Sequence, residues 1–147
     1  MTRPYVAVVG AGRASAEQEE VAEEVGRALA ERSAVVVCGG LGGVMEAAAR
    51  GAKEAGGTTL GILPSLDRAD ANPFVDLAVA TGLGEARNAL VVRAADALVA
   101  VGGEYGTLSE IALALKAGKR VVGVGSWEID GVEQAASAAE AVAMLLG

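Results

Sequence analysis

The stretch Val101-Gly102-Gly103-Glu104-Tyr105-Gly106-Thr107-Leu108-Ser109-Glu110 holds the residue types most able to do chemistry in this chain. A glycine-rich turn lets backbone N–H groups approach an anion at a helix start, where the helix dipole also favours negative charge. Glu104 is a carboxylate at a place where an anion would be repelled. Thr107 to Glu110 also has the spacing of a capping box, with Thr107 as N-cap and Glu110 as its N3 partner, worth about 1 kcal/mol. The stretch therefore reads either as a ligand site or as a well-capped helix.

Three further segments share its character. Gly10-Ala11-Gly12-Arg13-Ala14-Ser15 precedes a helical pattern in which Ser15 and Gln18 have capping-box spacing. It lacks the third glycine of G-x-G-x-x-G, and no acidic residue follows the second apolar run, so a nicotinamide dinucleotide is not the expected ligand. Gly39-Gly40-Leu41-Gly42-Gly43-Val44-Met45 would open backbone N–H groups toward an anion, or simply let a helix pack close to a sheet. In Thr81-Gly82-Leu83-Gly84-Glu85-Ala86-Arg87-Asn88, Arg87 falls in the first turn of a helix, where a cation is unfavourable unless an anion lies nearby. A bidentate guanidinium on phosphate explains that placement, as does an ordinary solvent-exposed arginine.

The elements that position these residues follow from periodicity. Short β-branched runs at Tyr5 to Val9, Ala34 to Cys38, Thr59 to Leu63, Leu77 to Ala80, Ala97 to Val101 and Arg120 to Val124 read as buried strands. Helical patterns lie at Ala16 to Arg32, Val44 to Ala55, Glu85 to Ala95, Leu108 to Ala117 and Val132 to Leu146. This alternation predicts an α/β fold: one Rossmann-like domain over 1–147 with a doubly wound, mostly parallel sheet of about six strands. Residues 64–76 join the third and fourth strands without a helix, as a loop that is either functional or mobile. A 3-2-1-4-5-6 order would send that loop across the sheet and place the ligand crevice between strands one and four.

Composition narrows the function. Among 147 residues the net charge is −7 and aromatics are 3%, which argues against nucleic acid, an anionic membrane or a base-stacking platform as the main partner. The absence of histidine removes the commonest acid/base group and transition-metal ligand, and no metal site is expected. Cys38 reads as a buried small hydrophobe. With no leader and no apolar run of about 18 residues, the expected location is the cytoplasm. Alanine-rich helices at 44–55 and 132–146 carry surplus apolar surface, which predicts a homodimer or larger homo-oligomer.

Arg87, Asp96, Tyr105-Gly106-Thr107 and Glu110 match, without a gap, the M-x-x-R-K and P-G-G-x-G-T-x-x-E signature of the LONELY GUY (LOG) family of nucleotide 5′-monophosphate phosphoribohydrolases. The chain is likewise similar to the molybdenum cofactor carrier-like proteins, a group long catalogued under a lysine decarboxylase label. Gly39-Gly40 and Gly43-Val44-Met45 resemble the family's other glycine-rich turn. The resemblance implies a Rossmann-type fold, Arg87 and Glu110 as a catalytic pair, and Gly106 with Thr107 as the phosphate turn. It also implies dimers or larger assemblies, and hydrolysis that needs no cofactor.

Two departures favour the carrier-like branch. Gly102-Gly103-Glu104 replaces Pro-Gly-Gly, and Asn88 replaces the lysine. Glu104 beside the turn either adds repulsion against a phosphate or supplies an acceptor for a ligand hydroxyl or a pterin N–H group. A pyridoxal enzyme would need a buried Schiff-base lysine. Lys53, Lys116 and Lys119 all fall on polar helix faces or at helix ends.

The expected function is therefore binding of a phosphate-bearing small molecule, a nucleotide or the molybdenum cofactor. The alternative is a LOG-type phosphoribohydrolase. Besides Arg87 and Glu110, the expected site residues are Gly10, Gly12, Arg13, Ser15, Gly39, Gly40, Gly42, Gly43, Gly103, Glu104, Tyr105, Gly106 and Thr107.

Overall fold

The computed structural model describes residues 2–147. Its strands are β1 (Tyr5–Gly10), β2 (Val35–Cys38), β3 (Thr58–Leu63), β4 (Leu77–Ala80), β5 (Ala97–Val101), β6 (Arg120–Val124) and β7 (Val132–Gln134). Its helices are α1 (Ala16–Glu31), α2 (Val44–Glu54), α3 (Arg87–Ala94), α4 (Tyr105–Lys116) and α5 (Ala138–Leu146). The strands form one sheet in the order β4-β3-β2-β1-β5-β6-β7. Every pairing is parallel, with Val8 opposite Val99 and Ala7 opposite Val36's neighbour Val37 at the centre.

Parallel strands must be covered on both faces, and the period-2 alternation of side chains divides the core in two. Val6 and Val8 of β1 join Val36, Val99 and Val122 on one face, packed against Val25 and Leu29 of α1, Ala47 and Ala48 of α2 and Val142 of α5. Ala7 and Val9 join Val37, Leu98 and Val121 on the other, under Val91 of α3 and Ile111 of α4. This is the doubly wound architecture that the alternating pattern predicts.

Three local expectations are corrected. The 64–76 loop does not cross the sheet: it turns through a 3₁₀ segment at Arg68–Asp70 and returns β4 to the outer edge of β3. The crossing falls to the next connection, whose α3 carries the chain over to β5 beside β1. The switch point therefore lies between β1 and β5, not between the first and fourth strands. Residues 132–146 are not one helix, because Val132–Gln134 adds a seventh strand before Ser137 caps α5. A β-branched residue after Gly131 at φ +97 suits a short edge strand better than a helix start.

The third correction concerns α4, which begins three residues before the expected start, at Tyr105 with Glu104 as N-cap. Gly102 at φ +56 and Gly103 at φ +106 turn the chain sharply after β5, so the helix starts as soon as the turn is complete. Thr107 and Glu110 then sit inside the helix and are buried, and the capping box between them does not form.

The small residues of α2 are used within the chain. Gly26 of α1 faces the Ala48 carbonyl and Gly51 of α2 faces the Glu23 carbonyl, each too close to admit a Cβ. The two helix backbones therefore lie against one another, and the alanine-rich face of α2 is not left over for a subunit contact. Among the described residues, no helix is long and apolar enough to cross a membrane.

Candidate functional site

A cleft of about 320 Å³ opens at the carboxyl ends of β1, β2 and β5, where a doubly wound sheet places its ligand. Of the sequence-predicted residues, Gly10, Gly12, Arg13, Gly39, Arg87, Glu104, Gly106, Thr107 and Glu110 line it. Residues separated by most of the chain are thus brought to one place by the β1–β5 switch point.

The other predicted residues serve the frame. Ser15 accepts from the Gln18 N–H at 3.1 Å and Gln18 accepts from the Ser15 N–H at 3.1 Å, so α1 is closed by the expected capping box. Gly40, at φ +81, packs against Leu63. Gly43 is the N-cap of α2, at φ +65 and hard against the Ala11 carbonyl, which accepts the Val44 N–H at 3.1 Å. Gly103 packs on the Thr107 side chain so closely that a Cβ would come within 2.4 Å of Oγ1. Gly42 has only the Gly12 carbonyl nearby, at 3.6 Å from where a Cβ would stand. Tyr105 is 81% exposed and points away from the cleft, onto Trp127 at a ring-centroid distance of 6.1 Å.

Two glycines in the cleft have no structural explanation. Gly12 and Gly106 have ordinary negative φ, and a Cβ on either would meet nothing closer than 3.9 and 4.0 Å. Neither backbone conformation nor packing demands glycine there. Close approach of a ligand to the backbone would.

The start of α4 faces the same cleft. Glu104 makes no side-chain cap, and the first intrahelical bond is Leu108 N–H to the Glu104 carbonyl at 3.0 Å. The N–H groups of the first turn, at Tyr105, Gly106 and Thr107, are left without helical acceptors, as at any helix start. Beside them lies Arg87, only 9% exposed, with its Nε buried and without a hydrogen-bond partner. Its Nη1 donates to Asn88 Oδ1, and its Nη2 lies so close to Gly39 that any side chain there would displace the guanidinium. Exposed Arg13 adds a second cation to the rim.

Glu110 faces the same cleft at 7% exposure. Burial pushes its carboxyl up to about 7, against the opposing pull of the Arg87 charge. Burial likewise lowers the Arg87 pKa, partly offset by Glu110, though a guanidinium stays charged in proteins. No contact ion pair joins the two. The arrangement offers fixed positive charge and N–H donors for an anion, plus a carboxyl that changes protonation near neutral pH. Cys38, beneath the cleft and fully buried, is held at about 11 by burial, so it is an inert thiol.

Sequence reasoning missed the braces around the site. Asn72, buried in the 64–76 loop, gives its backbone N–H to the Gly40 carbonyl at 2.8 Å and its Nδ2 to the Leu41 carbonyl at 2.9 Å. Asp76 anchors the same loop to Lys53 and Thr59. The loop is therefore a buttress for the Gly39–Gly43 turn. On the opposite side, Ser126 Oγ donates to the Gly102 carbonyl at 2.5 Å and Trp127 Nε1 to the Glu104 carbonyl at 3.2 Å. A lone tryptophan just beyond a strand end was the available signal. Lys119, read as solvated, instead donates to the Val92, Arg93 and Ala95 carbonyls at the end of α3.

Known proteins resemble the chain over most or nearly all of its length. The molybdenum cofactor binding protein of Rippkaea orientalis superposes with a TM-score of 0.94 at 35% identity, covering 99% of this chain and 96% of that one. The molybdenum cofactor carrier protein of Chlamydomonas reinhardtii gives 0.88 at 38% identity, covering 98% and 96%. An uncharacterized protein of Archaeoglobus fulgidus is 51% identical over 116 residues, 79% of this chain and 76% of its own length. Residues 3–145 match the family model described as the SLOG cluster4 family, and the chain, LOG-like in its motif and fold, belongs to that family.

Proposed function

We propose that this chain binds a phosphate-bearing small molecule in the β1–β5 cleft, and that the ligand is a pterin phosphate of the molybdenum cofactor type, held as cargo. The observation that carries the proposal is Arg87. A buried guanidinium with an unsatisfied Nε, beside the uncapped start of α4, is costly unless an anion completes it. Gly106 and Thr107 would offer backbone N–H groups to the phosphate and Arg87 a charge-assisted hydrogen bond. Glu104 would accept from a ligand hydroxyl or N–H, and Gly12 would let the ligand lie against the backbone. The binding and carrier proteins similar to this chain support the choice of cargo.

Calorimetric titration with inorganic phosphate and with the molybdenum cofactor tests this reading. Arg87→Gln should weaken both ligands at least tenfold. Gly106→Ala should leave the fold intact, since alanine is the better helix former by up to about 1 kcal/mol, yet weaken the cofactor at least tenfold. Undiminished affinity in both variants would sink the proposal.

A hydrolytic reading rests on a separate observation, the convergence of Arg87 with a carboxyl titrating near 7. Cleavage of an N-glycosidic bond passes through an oxocarbenium-like state, which a nearby carboxylate can stabilise while it orients water. Incubation with nucleoside 5′-monophosphates decides between the readings. Base release that disappears in Glu110→Gln overturns the carrier reading; binding without turnover overturns the hydrolytic one.

A further inference from the structure

A second cavity, of about 390 Å³, lies between α3 and α4, lined by Ala86, Ala89, Leu113 and Tyr105 with Glu85 and Ser109 at its polar edge. Asn88 and Gly106 line both this groove and the cleft, so the two cavities meet at those residues. At the junction Asn88 Nδ2 donates to Ser109 Oγ at 3.4 Å, and Ser109 Oγ to the Gly106 carbonyl at 2.6 Å. A Cβ on Gly106 would point at Asn88 Nδ2, 4.0 Å away, and so into the junction. Glycine at this helical position, where alanine would be the better helix former, leaves the junction without a side chain.

We infer that cleft and groove are two compartments of one site, and that the groove takes a planar 2-amino-4-oxopyrimidine ring, the edge that guanine and pterins share. The inference rests on the phosphate reading of the cleft. The cleft alone lies near the lower limit of ligand pockets, which run from about 300 to 1,000 Å³, whereas the two together fall well inside that range. The groove's walls are apolar with few polar groups, the lining expected for a flat heterocycle. Tyr105 leaves its ring open to solvent while Trp127 supports it, so a free aromatic face stands at the groove. Glu85 supplies a carboxylate able to accept the exocyclic amino group and the adjacent ring N–H together, a pairing that adenine cannot make.

The test measures dissociation constants for inorganic phosphate, AMP and GMP by calorimetry on the intact chain. GMP should bind more tightly than AMP, and AMP more tightly than phosphate. Ala89→Trp, which fills the groove, should cut the preference for GMP over phosphate at least tenfold. Tyr105→Ala should cut it about fivefold or more, from the loss of one stacking face worth roughly 1–3 kcal/mol. Glu85→Gln, an exposed change with no expected effect on folding, should bring GMP down to the level of AMP. If phosphate binds but these variants leave the GMP preference unchanged, the groove assignment is wrong and the cleft stands. If neither phosphate nor GMP binds the unmodified chain, the phosphate reading fails and takes the groove with it.

Discussion

The two helices that begin on either side of the β1–β5 switch point start in opposite ways. At α1, Ser15 and Gln18 close the capping box and satisfy their own backbone donors. At α4, the N-cap is Glu104, no side chain caps the turn, and a buried arginine waits beside it. The residues at 107–110 spell a capping box as clearly as those at 15–18, yet only the latter make one. The capping box of α1 uses the Ser15 and Gln18 N–H groups within the helix itself. The start of α4 keeps its first-turn N–H groups open, beside a guanidinium whose Nε has no partner.

The sharpest way to break this contrast is to substitute the turn that creates it. Gly103→Ala should destabilise the fold by about 3 kcal/mol, because φ +106 strains any side chain and the new Cβ would strike Thr107. Chemical denaturation reads this directly; a loss below roughly 1 kcal/mol would mean that α4 can start elsewhere.

Next in size is Glu110, and here the sign depends on pH. Its carboxyl lies at about 7 in the folded chain against an ordinary 4.5, so between those values the folded state binds more protons than the unfolded one. Stability therefore falls as pH rises through that window, by on the order of 3 kcal/mol, and levels off above it. Glu110→Gln removes the buried charge. Melting curves should show the variant more stable than the parent at pH 8, with the gain gone below about pH 4.5. A variant less stable at pH 8 would show that Glu110 is fully paired in the folded state.

The smallest changes act on the caps themselves. Ser15→Ala should cost about 1 kcal/mol of stability and leave phosphate affinity unchanged. Glu104→Ser should do the reverse, adding up to about 1 kcal/mol while weakening phosphate binding, because a hydroxyl would take up an N–H otherwise free for the ligand. Equal effects of both substitutions on phosphate would erase the distinction between the two helix starts.

Much of the fold was legible before any coordinates. The β-branched runs from Tyr5 to Val9 and Ala97 to Val101 became central strands, and Cys38 lay buried as its surroundings required. The motif register from Arg87 to Glu110 correctly indicated the family. What escaped was the edge strand Val132–Gln134, too short for a period-2 signal to stand out from the helix that follows. The braces from Asn72, Ser126 and Trp127 escaped too, since each bonds to backbone far away in sequence.

The sequence by itself determined what depends on near neighbours: strand and helix propensity, the glycine turns, the Ser15–Gln18 cap and the excess of acidic charge. Each of these arises from contacts within a few residues, which a linear reading can weigh. Only the tertiary structure decided the strand order, because the chain crosses the sheet through α3 rather than through the 64–76 loop. That crossing carries Arg87 to Gly39 and Glu110. Burial at this junction, a property of the whole packed sheet and its helices, turned a threonine and a glutamate spaced like a cap into the wall of a cleft.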